Sequence, residues 1–428
     1  MDNEASPPRL SRILSLLDAV AIGLGAMIGA GIFVVISVAV NVAGGGVIIS
    51  FAIGTIAAIF PALSTARLAA AYPVSGATSF YAAHLLGRPY GFVAGWIFIF
   101  ATISADAAVV LAFGSYLHFL IPDIPLRATS ITFAVIVTTI NYFGIRLSAN
   151  VIDILVIVKL AVLLFFIAVG AFFFRVERVF PMMLHGVMGA IEGAAIVFFA
   201  YAGFARIAVI GEEVRDPIRT IPKAILLALG TATILYLTVA LVALGLLGVR
   251  GLAGASAPLS AAIRKTPLDI GPYIISIGAL TSIFTVFLTD MLGVSRMFFA
   301  LARSRELPDW LSHVHEKYGT PHLAILLNGA LVAVLALIAN LHSVVKVASF
   351  GMLAYYGLTC LAALRLPSTG GRYHRACDVA GIISCFALAS FLSLHVILLG
   401  LLVIAFGIVY FFTRNVFSSD GGPSDAHV

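Results

Sequence analysis

Two stretches of this chain place glycines and other small residues inside apolar segments long enough to cross a bilayer. The first, GLGAMIGAGIF at 23–33, has four glycines in eleven residues and no charge. Because glycine weakens a helix interior by about 1 kcal/mol relative to alanine, this stretch is expected to unwind. The amides freed around Gly29, Ala30 and Gly31 would favour a carboxylate. The carbonyls freed in the sixth span, around Phe199, Ala200 and Tyr201, could accept a hydrogen bond from an ammonium group.

The second stretch, AYAGF at 200–204, interrupts another apolar segment in the same way. Interrupted segments at matching places in two halves of a chain indicate a transporter built from inverted repeats, with its site between the breaks. The pair therefore predicts a site for a small zwitterion. Close helix packing through Gly25-x-x-x-Gly29 is the alternative. The predicted substrate-binding residues are Ile28, Gly29, Ala30, Gly31, Phe199, Ala200, Tyr201, Gly203, Phe204 and Asp106.

Four charged side chains fall inside apolar segments and are candidates for proton coupling or for ion pairs. A charged lysine at mid-bilayer costs about 3 kcal/mol or more, and removal from water makes it easier to deprotonate. Lys159 is therefore predicted to gain and lose a proton, unless it merely reaches the headgroups. Asp106 and Asp290 could bind an ammonium, transfer a proton or pair with Arg206 or Lys159.

The composition indicates an integral membrane protein. Of the 428 residues 61% are hydrophobic and only 10% are charged, whereas soluble domains have about 25% charged residues. Apolar stretches of about 20 residues predict some twelve membrane helices, the last two separated at FLSLH. Their predicted ranges are 13–41, 43–66, 90–120, 128–144, 152–174, 187–211, 223–248, 270–300, 322–341, 344–364, 378–392 and 395–413.

The basic residues predict the orientation of these helices. Sixteen of the 25 lysines and arginines fall on one set of predicted loops and helix ends, and seven fall on the other. Because positive residues concentrate on the cytoplasmic side, both termini are expected in the cytoplasm, with the chain in the plasma membrane. The predicted organisation is a cytoplasmic tail at 1–12, a five-helix repeat at 13–174, an inverted five-helix repeat at 187–364, two C-terminal helices at 378–413 and a cytoplasmic tail at 414–428.

Three motifs carry a family resemblance. LLDAVAIGLGAMIGAGIF, FFAYAGFARIAVIGEEVRDPIRTIPKAI and SRMFFALARSRELPDWL occur in this order and resemble the amino acid–polyamine–organocation (APC) superfamily. VIDILVIVKLAVLLFFI, with its lysine in the fifth span, is most similar to the ApcT-type proton-coupled amino acid transporters. The resemblance implies an all-α, LeuT-like fold with a 5+5 inverted repeat, discontinuous helices 1 and 6, and two further C-terminal helices.

The resemblance also implies roles for particular residues. The matching lysine of the family occupies a place where sodium-coupled relatives bind an ion, so Lys159 would meet the carbonyl region near Gly25 and hydroxyls such as Ser282 or Thr285. In this fold Asp18 could form an inner gate with Arg296. An acid that stabilises the start of its helix is the alternative for Asp18.

Other function classes have no support in the sequence. There is no G-x-x-x-x-G-K-[ST] loop for ATP and no H-E-x-x-H metal motif, and three cysteines indicate neither a disulfide framework nor a metal site. No cofactor, catalytic set, metal or nucleic-acid partner is expected. The sequence predicts a secondary active transporter that moves amino acids with a proton across the lipid bilayer. An exchanger without proton coupling, or a transport-inactive sensor or channel on the same scaffold, is the alternative.

Overall fold

The computed structural model describes residues 14–72, 77–145, 149–180, 185–211, 213–367 and 371–419. Within these ranges the chain is helical, and its one β-type pairing is an isolated bridge between Leu14 and Val214. The predicted tail at 1–12 and residues 420–428 lie outside the described residues. The α-helices are α1 (Leu16–Met27), α2 (Ala30–Phe33), α3 (Val35–Ala43), α4 (Val47–Ala71), α5 (Ala77–Leu86), α6 (Arg88–Leu120), α7 (Leu126–Tyr142), α8 (Ala149–Phe172), α9 (Gly186–Tyr201), α10 (Ala205–Val209), α11 (Pro217–Ala253), α12 (Pro258–Ile263), α13 (Gly271–Arg303), α14 (His322–Ile338), α15 (Leu341–Ala363), α16 (Gly371–Ser390) and α17 (Leu394–Ser419).

The first predicted span consists of three helical pieces, α1, α2 and α3. Helix α1 begins with a capping box in which Ser15 and Asp18 satisfy each other's backbone amides. It ends at Met27, four residues before Gly31, within the glycine-rich stretch. A 3₁₀ turn at Gly44–Gly46 then leads into α4. The glycine-rich stretch therefore ends α1, as expected from the low helix propensity of glycine.

The sixth predicted span is less interrupted than the sequence indicated. Helix α9 continues through Tyr201, a 3₁₀ turn covers Ala202–Phe204, and α10 begins at Ala205. The expectation of an unwound backbone at Phe199 and Ala200 is therefore wrong. AYAGF has one glycine, and a 3₁₀ turn keeps short i→i+3 hydrogen bonds where the α-helical bonds end.

Most of the other predicted ranges agree with observed helices to within a few residues, and the apolar run near the C-terminus divides between Ser390 and Leu394. Helix α16 differs most, because it begins seven residues before the predicted start at residue 378. The short helices α5 and α12 were not predicted. In the described part of the chain, nine helical stretches are long and apolar enough to cross a membrane.

The helices pack in corresponding pairs. Helix α4 packs against α9 and α11, while α11 also packs against α1 and α3. Helix α6 packs against α13 and α15, while α13 also packs against α8, and α7 packs against α14. At the C-terminal end, α16 lies on α4 and α15, and α17 lies on α6 and α15. These contacts surround α6, which is the most enclosed of the apolar stretches.

Many large hydrophobic side chains are exposed on the surface of the helices. Large hydrophobic side chains such as Ile157, Ile338 and Leu402 are exposed for 65%, 69% and 69% of their surface. A soluble protein of one chain rarely exposes continuous apolar area of this kind. The interior also contains polar groups, among them the fully buried Asp106 and the nearly buried Lys159.

Candidate substrate and coupling site

The first span is interrupted where its backbone leaves the helical region at Ile28. This residue has φ −79° and ψ 91°, an extended conformation, and Gly29 follows it before α2 begins. A second interruption lies at Val34, with φ −131° and ψ −44°, between α2 and α3. Because an unpaired backbone group costs several kcal/mol in hydrocarbon, the carbonyls freed at these two places require other donors.

Two of the freed carbonyls accept hydrogen bonds from neighbouring helices. In a continuous helix, Gly25 O would accept from the amide four residues later. Here it accepts from Lys159 Nζ of α8 at 3.1 Å. Met27 O accepts from the Tyr236 hydroxyl of α11 at 2.6 Å. The end of α1 is therefore held by donors from α8 and α11.

Two further carbonyls of this span are satisfied from α13 and α6. The Ser282 hydroxyl of α13 donates to Ile28 O at 2.9 Å. The Tyr116 hydroxyl of α6 donates to Phe33 O at 2.7 Å, and the two rings pack edge to face. Side chains from four different helices thus replace the backbone bonds that the interruptions remove.

The second segment uses its carbonyls differently. Phe199 O accepts from the Ala202 amide in the ordinary way of a helix end. Ala200 O accepts from the Tyr236 hydroxyl at 3.1 Å, and Ala202 O accepts from the hydroxyl of Tyr356. Tyr236 therefore contacts both interrupted segments. Of the carbonyls predicted to meet an ammonium, those of Phe199 and Ala200 already have partners inside the protein.

Glycines allow the two segments to approach each other closely. A β-carbon at Gly31 would lie 2.8 Å from the Cα atom of Ala200, and a β-carbon at Gly203 would lie 2.6 Å from the amide nitrogen of Met27. Atoms of real side chains do not come this close to backbone, so only glycine fits at either position. The two segments meet backbone to backbone.

The glycines at 25 and 29 face side chains instead. A β-carbon at Gly25 would lie 2.8 Å from Val156 of α8, and one at Gly29 would lie 2.6 Å from Val286 of α13. The small residues therefore serve close packing as well as the break, so the two interpretations of Gly25-x-x-x-Gly29 are compatible.

The predicted coupling residues have different partners. Lys159 is 2% exposed and donates to Gly25 O. Ser282 donates to Ile28 O, and the Thr285 hydroxyl donates to carbonyls of its own helix, including Ser282 O at 2.8 Å. Within the described residues, neither hydroxyl bonds to the lysine.

Three of the predicted intramembrane charges form a group on α6, α10 and α13. Arg206 of α10 forms an ion pair with Asp290 of α13. Gly293 makes room for this arginine, because a β-carbon there would lie 2.9 Å from Arg206 Nη1. Asp106 of α6 is fully buried, interacts electrostatically with both members of the pair, and has no hydrogen-bond partner on either carboxylate oxygen.

Aromatic side chains pack around the second segment. The Tyr201 hydroxyl accepts from Thr55 Oγ1 at 2.9 Å, and its ring lies 5.4 Å from that of Tyr236. The Phe204 ring lies 4.8 Å from that of Tyr356. These rings surround the point where the helix changes to a 3₁₀ turn.

The ends of the two segments are also connected. The Leu14 amide donates to Glu213 O at 3.0 Å, and the Arg215 amide donates to Leu14 O at 2.9 Å, so the start of α1 is joined to the chain that follows α10. At the opposite end of α9, Lys346 Nζ of α15 donates to Glu192 at 2.8 Å.

The two residues predicted to form an inner gate lie on different helices, Asp18 on α1 and Arg296 on α13. Asp18 is on the first turn of α1, where its carboxylate accepts from the Ser15 amide at 2.8 Å. Arg296 is an exposed residue of α13. This hydrogen bond is the one expected of an acid that stabilises the start of its helix, which was the alternative interpretation of Asp18.

The described residues contain no cluster of three or more histidine, cysteine, aspartate or glutamate side chains that could hold a metal ion.

Comparison with known proteins adds the family. A family model described as "Amino acid permease" matches residues 18–423. The chain belongs to this family. An uncharacterized transporter of Mycobacterium tuberculosis is 40% identical to the permease over 433 residues, which cover 99% of this chain and 97% of the relative. The branched-chain amino acid permease BcaP of Bacillus subtilis is 33% identical, covering 87% and 84%. A methylthioribose transporter of the same organism is 31% identical, covering 83% and 81%.

The family and the fold together make the permease a multi-pass membrane protein. Its match extends through nearly all of the helices, and apolar stretches long enough to cross a bilayer occur from α1 to α17. The superfamily resemblance inferred from three motifs is confirmed by this match.

Several contact residues of the permease were missed by the sequence reasoning. Tyr116, Tyr236 and Tyr356 all donate to backbone carbonyls of the interrupted segments. A signal was available, because a tyrosine in the middle of an apolar helix must find a partner for its hydroxyl. One sequence cannot tell which carbonyl that partner is.

Proposed function

We propose that this permease is a secondary active transporter that moves amino acids across the plasma membrane by alternating access, coupled to a proton carried by Lys159. The observation that carries the proposal is the bond from Lys159 Nζ to Gly25 O at the broken end of α1. Protonation changes how strongly this side chain can donate, so it changes how firmly α8 holds α1. The relatives named as amino acid permeases support the substrate class.

The paired packing of the helices supports a LeuT-like arrangement with a 5+5 inverted repeat. The contacts of α4 with α9 correspond to those of α11 with α1 and α3, and the contacts of α6 with α15 correspond to those of α13 with α8. Exchanging the two halves of the chain thus reproduces the pattern. With the basic residues concentrated on one side, the proposed orientation has both termini in the cytoplasm.

The proposed substrate site lies between Ile28 and Gly31 on one side and the start of the 3₁₀ turn on the other. The carboxylate of the amino acid would bind the amides of Ala30 and Gly31 at the start of α2, because the amides of Ile32 and Phe33 already donate to Gly29 O at 3.3 Å. Although Ala200 O accepts from Tyr236, a carbonyl has two lone pairs and can also accept from the substrate ammonium.

The deciding experiment is uptake into proteoliposomes with and without an inward proton gradient. The intact permease should accumulate a labelled amino acid only with the gradient. Lys159→Met should abolish accumulation while retaining exchange between internal and external amino acid, because the site persists and the proton carrier is gone. Lys223→Met, which removes an exposed lysine at the start of α11, is the matched control and should accumulate normally.

The same assay distinguishes the alternatives. An exchanger would show counterflow but no gradient-driven accumulation in either protein. A channel would show flux without saturation or counterflow, and a sensor would bind amino acid without flux. Gradient-driven accumulation that survives Lys159→Met would reject the proposed role of this lysine.

A further inference from the structure

Asp106 of α6 has no hydrogen-bond partner among the described residues, whereas Arg206 of α10 is paired with Asp290. Asp106 is fully buried, and neither of its carboxylate oxygens accepts a hydrogen bond from the described residues. The hydroxyl of Thr102, one helical turn earlier on α6, is also buried without a partner. Buried polar groups are normally satisfied, so two carboxylate oxygens and a hydroxyl without partners, one turn apart on α6, indicate a site that is filled in another state of the protein.

The helices that bear the two acids run antiparallel. At one end of the contact, a β-carbon at Gly95 of α6 would lie 3.2 Å from the Leu301 side chain of α13. Farther along α6, Phe113 stacks on Phe133 at 3.8 Å, and Phe133 lies 5.6 Å from Phe287 of α13. Higher residue numbers on α6 therefore face lower numbers on α13.

This alignment places Asp106 and Asp290 at the same level. Asp106 lies eleven residues after Gly95, and Asp290 lies eleven residues before Leu301. The two carboxylates interact electrostatically, and Arg206 interacts with both. One guanidinium group is thus within electrostatic range of two acids and bonded to one of them.

The arginine and the acids belong to different packing units. Helix α10, which bears Arg206, packs against α1, α4 and α11. Helices α6 and α13, which bear the acids, pack against each other. A movement of the first unit relative to the second could carry the guanidinium from its place beside Gly293 of α13 across to α6, at the level where the two acids lie. Arg206 and Asp290 retain 27% and 19% side-chain exposure, so their pair is not enclosed.

We propose that Asp106 is a second binding site for the Arg206 guanidinium, which moves from Asp290 to Asp106 as the permease changes between its two facing states. The two oxygens of Asp106 and the Thr102 hydroxyl match the several donors of a guanidinium group. After the exchange Asp290 still has a basic group in electrostatic contact with it, namely Lys159. The proposal rests on the proposed alternating access, and it adds an ion-pair exchange to the lysine bond.

Few ionisable groups surround the two acids and the arginine. The groups that act on it are Arg206 from α10, Asp290 from α13, Lys159 from α8, and Tyr355 and Tyr356 from α15. Moving the arginine from one acid to the other changes which carboxylate it pairs with and adds no charge to the membrane interior.

The test measures the distance between α10 and α13 in the purified full chain. The native cysteines Cys360, Cys377 and Cys385 are replaced by alanine, and spin labels are attached through Ile210→Cys at the end of α10 and Ser304→Cys after α13. Pulsed electron resonance in nanodiscs then gives the ratio of two distance populations. Asp106→Asn should favour the population that matches this structure, and Asp290→Asn should favour the other, each by about fivefold or more. Thr102→Val, which keeps the acid, should shift the ratio as Asp106→Asn does but less.

A second buried arginine–aspartate pair provides the matched control. Asp378 of α16 pairs with Arg67 of α4, and Asp378→Asn should leave the α10–α13 distances unchanged. Shifts in the same direction for Asp106→Asn and Asp290→Asn, or no shift for both, would overturn the proposal. So would unchanged distances in Asp106→Asn together with weaker amino acid binding, because Asp106 would then hold the substrate. The distances need no flux, so failure here is distinct from failure of amino acid transport.

Discussion

The two interrupted segments of the permease differ in how far they depart from a helix. In the first span, the backbone becomes extended at Ile28, and side chains from four helices take the freed carbonyls. In the second, a 3₁₀ turn at Ala202–Phe204 keeps the winding, and two tyrosines suffice. The number of glycines follows this difference, with four in 23–33 and one in 200–204.

The comparison indicates that the two segments differ in how they can move. A segment that is already extended can change its hydrogen bonds without breaking a helix, so the first span is suited to exchange partners during transport. The second segment remains wound and is suited to move as a rigid rod. Tyr236 connects the two, because its hydroxyl contacts Met27 O and Ala200 O.

The largest effect is expected from filling the space between the two segments. Gly203→Ala would place a carbon 2.6 Å from the Met27 nitrogen, and Gly31→Ala would place one 2.8 Å from the Ala200 Cα. Backbone cannot rotate away as a side chain can, so each change should cost about 1–3 kcal/mol of stability and lower the uptake rate by about tenfold or more. Thermal unfolding and initial uptake rates measure both.

The control for these changes is Gly230→Ala on α11, where nothing lies within 4 Å of the added carbon. It should be neutral or stabilise the helix by up to about 1 kcal/mol. If Gly31→Ala transports as fast as Gly230→Ala, the close approach of the segments is not needed for function.

The next largest effect is expected from the residue that serves both segments. Tyr236→Phe removes the hydroxyl that donates to Met27 O and contacts Ala200 O. A buried carbonyl left without its donor costs about 1–3 kcal/mol, so uptake should fall by about tenfold. Tyr356→Phe removes a donor from the second segment alone and should have a smaller effect. Tyr81→Phe, whose hydroxyl donates to Tyr72 O away from both segments, serves as the control in the same uptake assay.

The sequence was informative where local composition decides the structure. Four glycines predicted an unwound stretch within 23–33, and the structure has its break there at Ile28. The run FLSLH predicted the separation of α16 from α17, which the structure has between Ser390 and Leu394. Long apolar runs predicted most helix positions, because burial of backbone in lipid permits little besides helix.

The sequence was less informative where distant residues decide. The range predicted for α16 began at Asp378 because a charge was expected to mark the membrane boundary. Asp378 is instead buried, and both Arg67 and Ser64 donate to it, so the helix continues through it. The second interruption likewise depends on hydroxyl donors from α11 and α15, namely Tyr236 and Tyr356. A single sequence does not show which carbonyls these distant hydroxyls meet.

The smallest effect comes from a matched pair of serines, one for each segment. Ser282 donates to Ile28 O, which has lost its helical partner, whereas Ser349 donates at 3.1 Å to Ile196 O, an ordinary carbonyl within α9. Ser282→Ala should therefore cost about 1 kcal/mol and slow uptake by about threefold. Ser349→Ala should change neither the unfolding temperature nor the uptake rate beyond the error of the assay, because Ile196 keeps its helical bond. Equal losses in the two variants would show that the extended segment depends on side-chain donors no more than the wound one does, and the difference drawn between the segments would then be wrong.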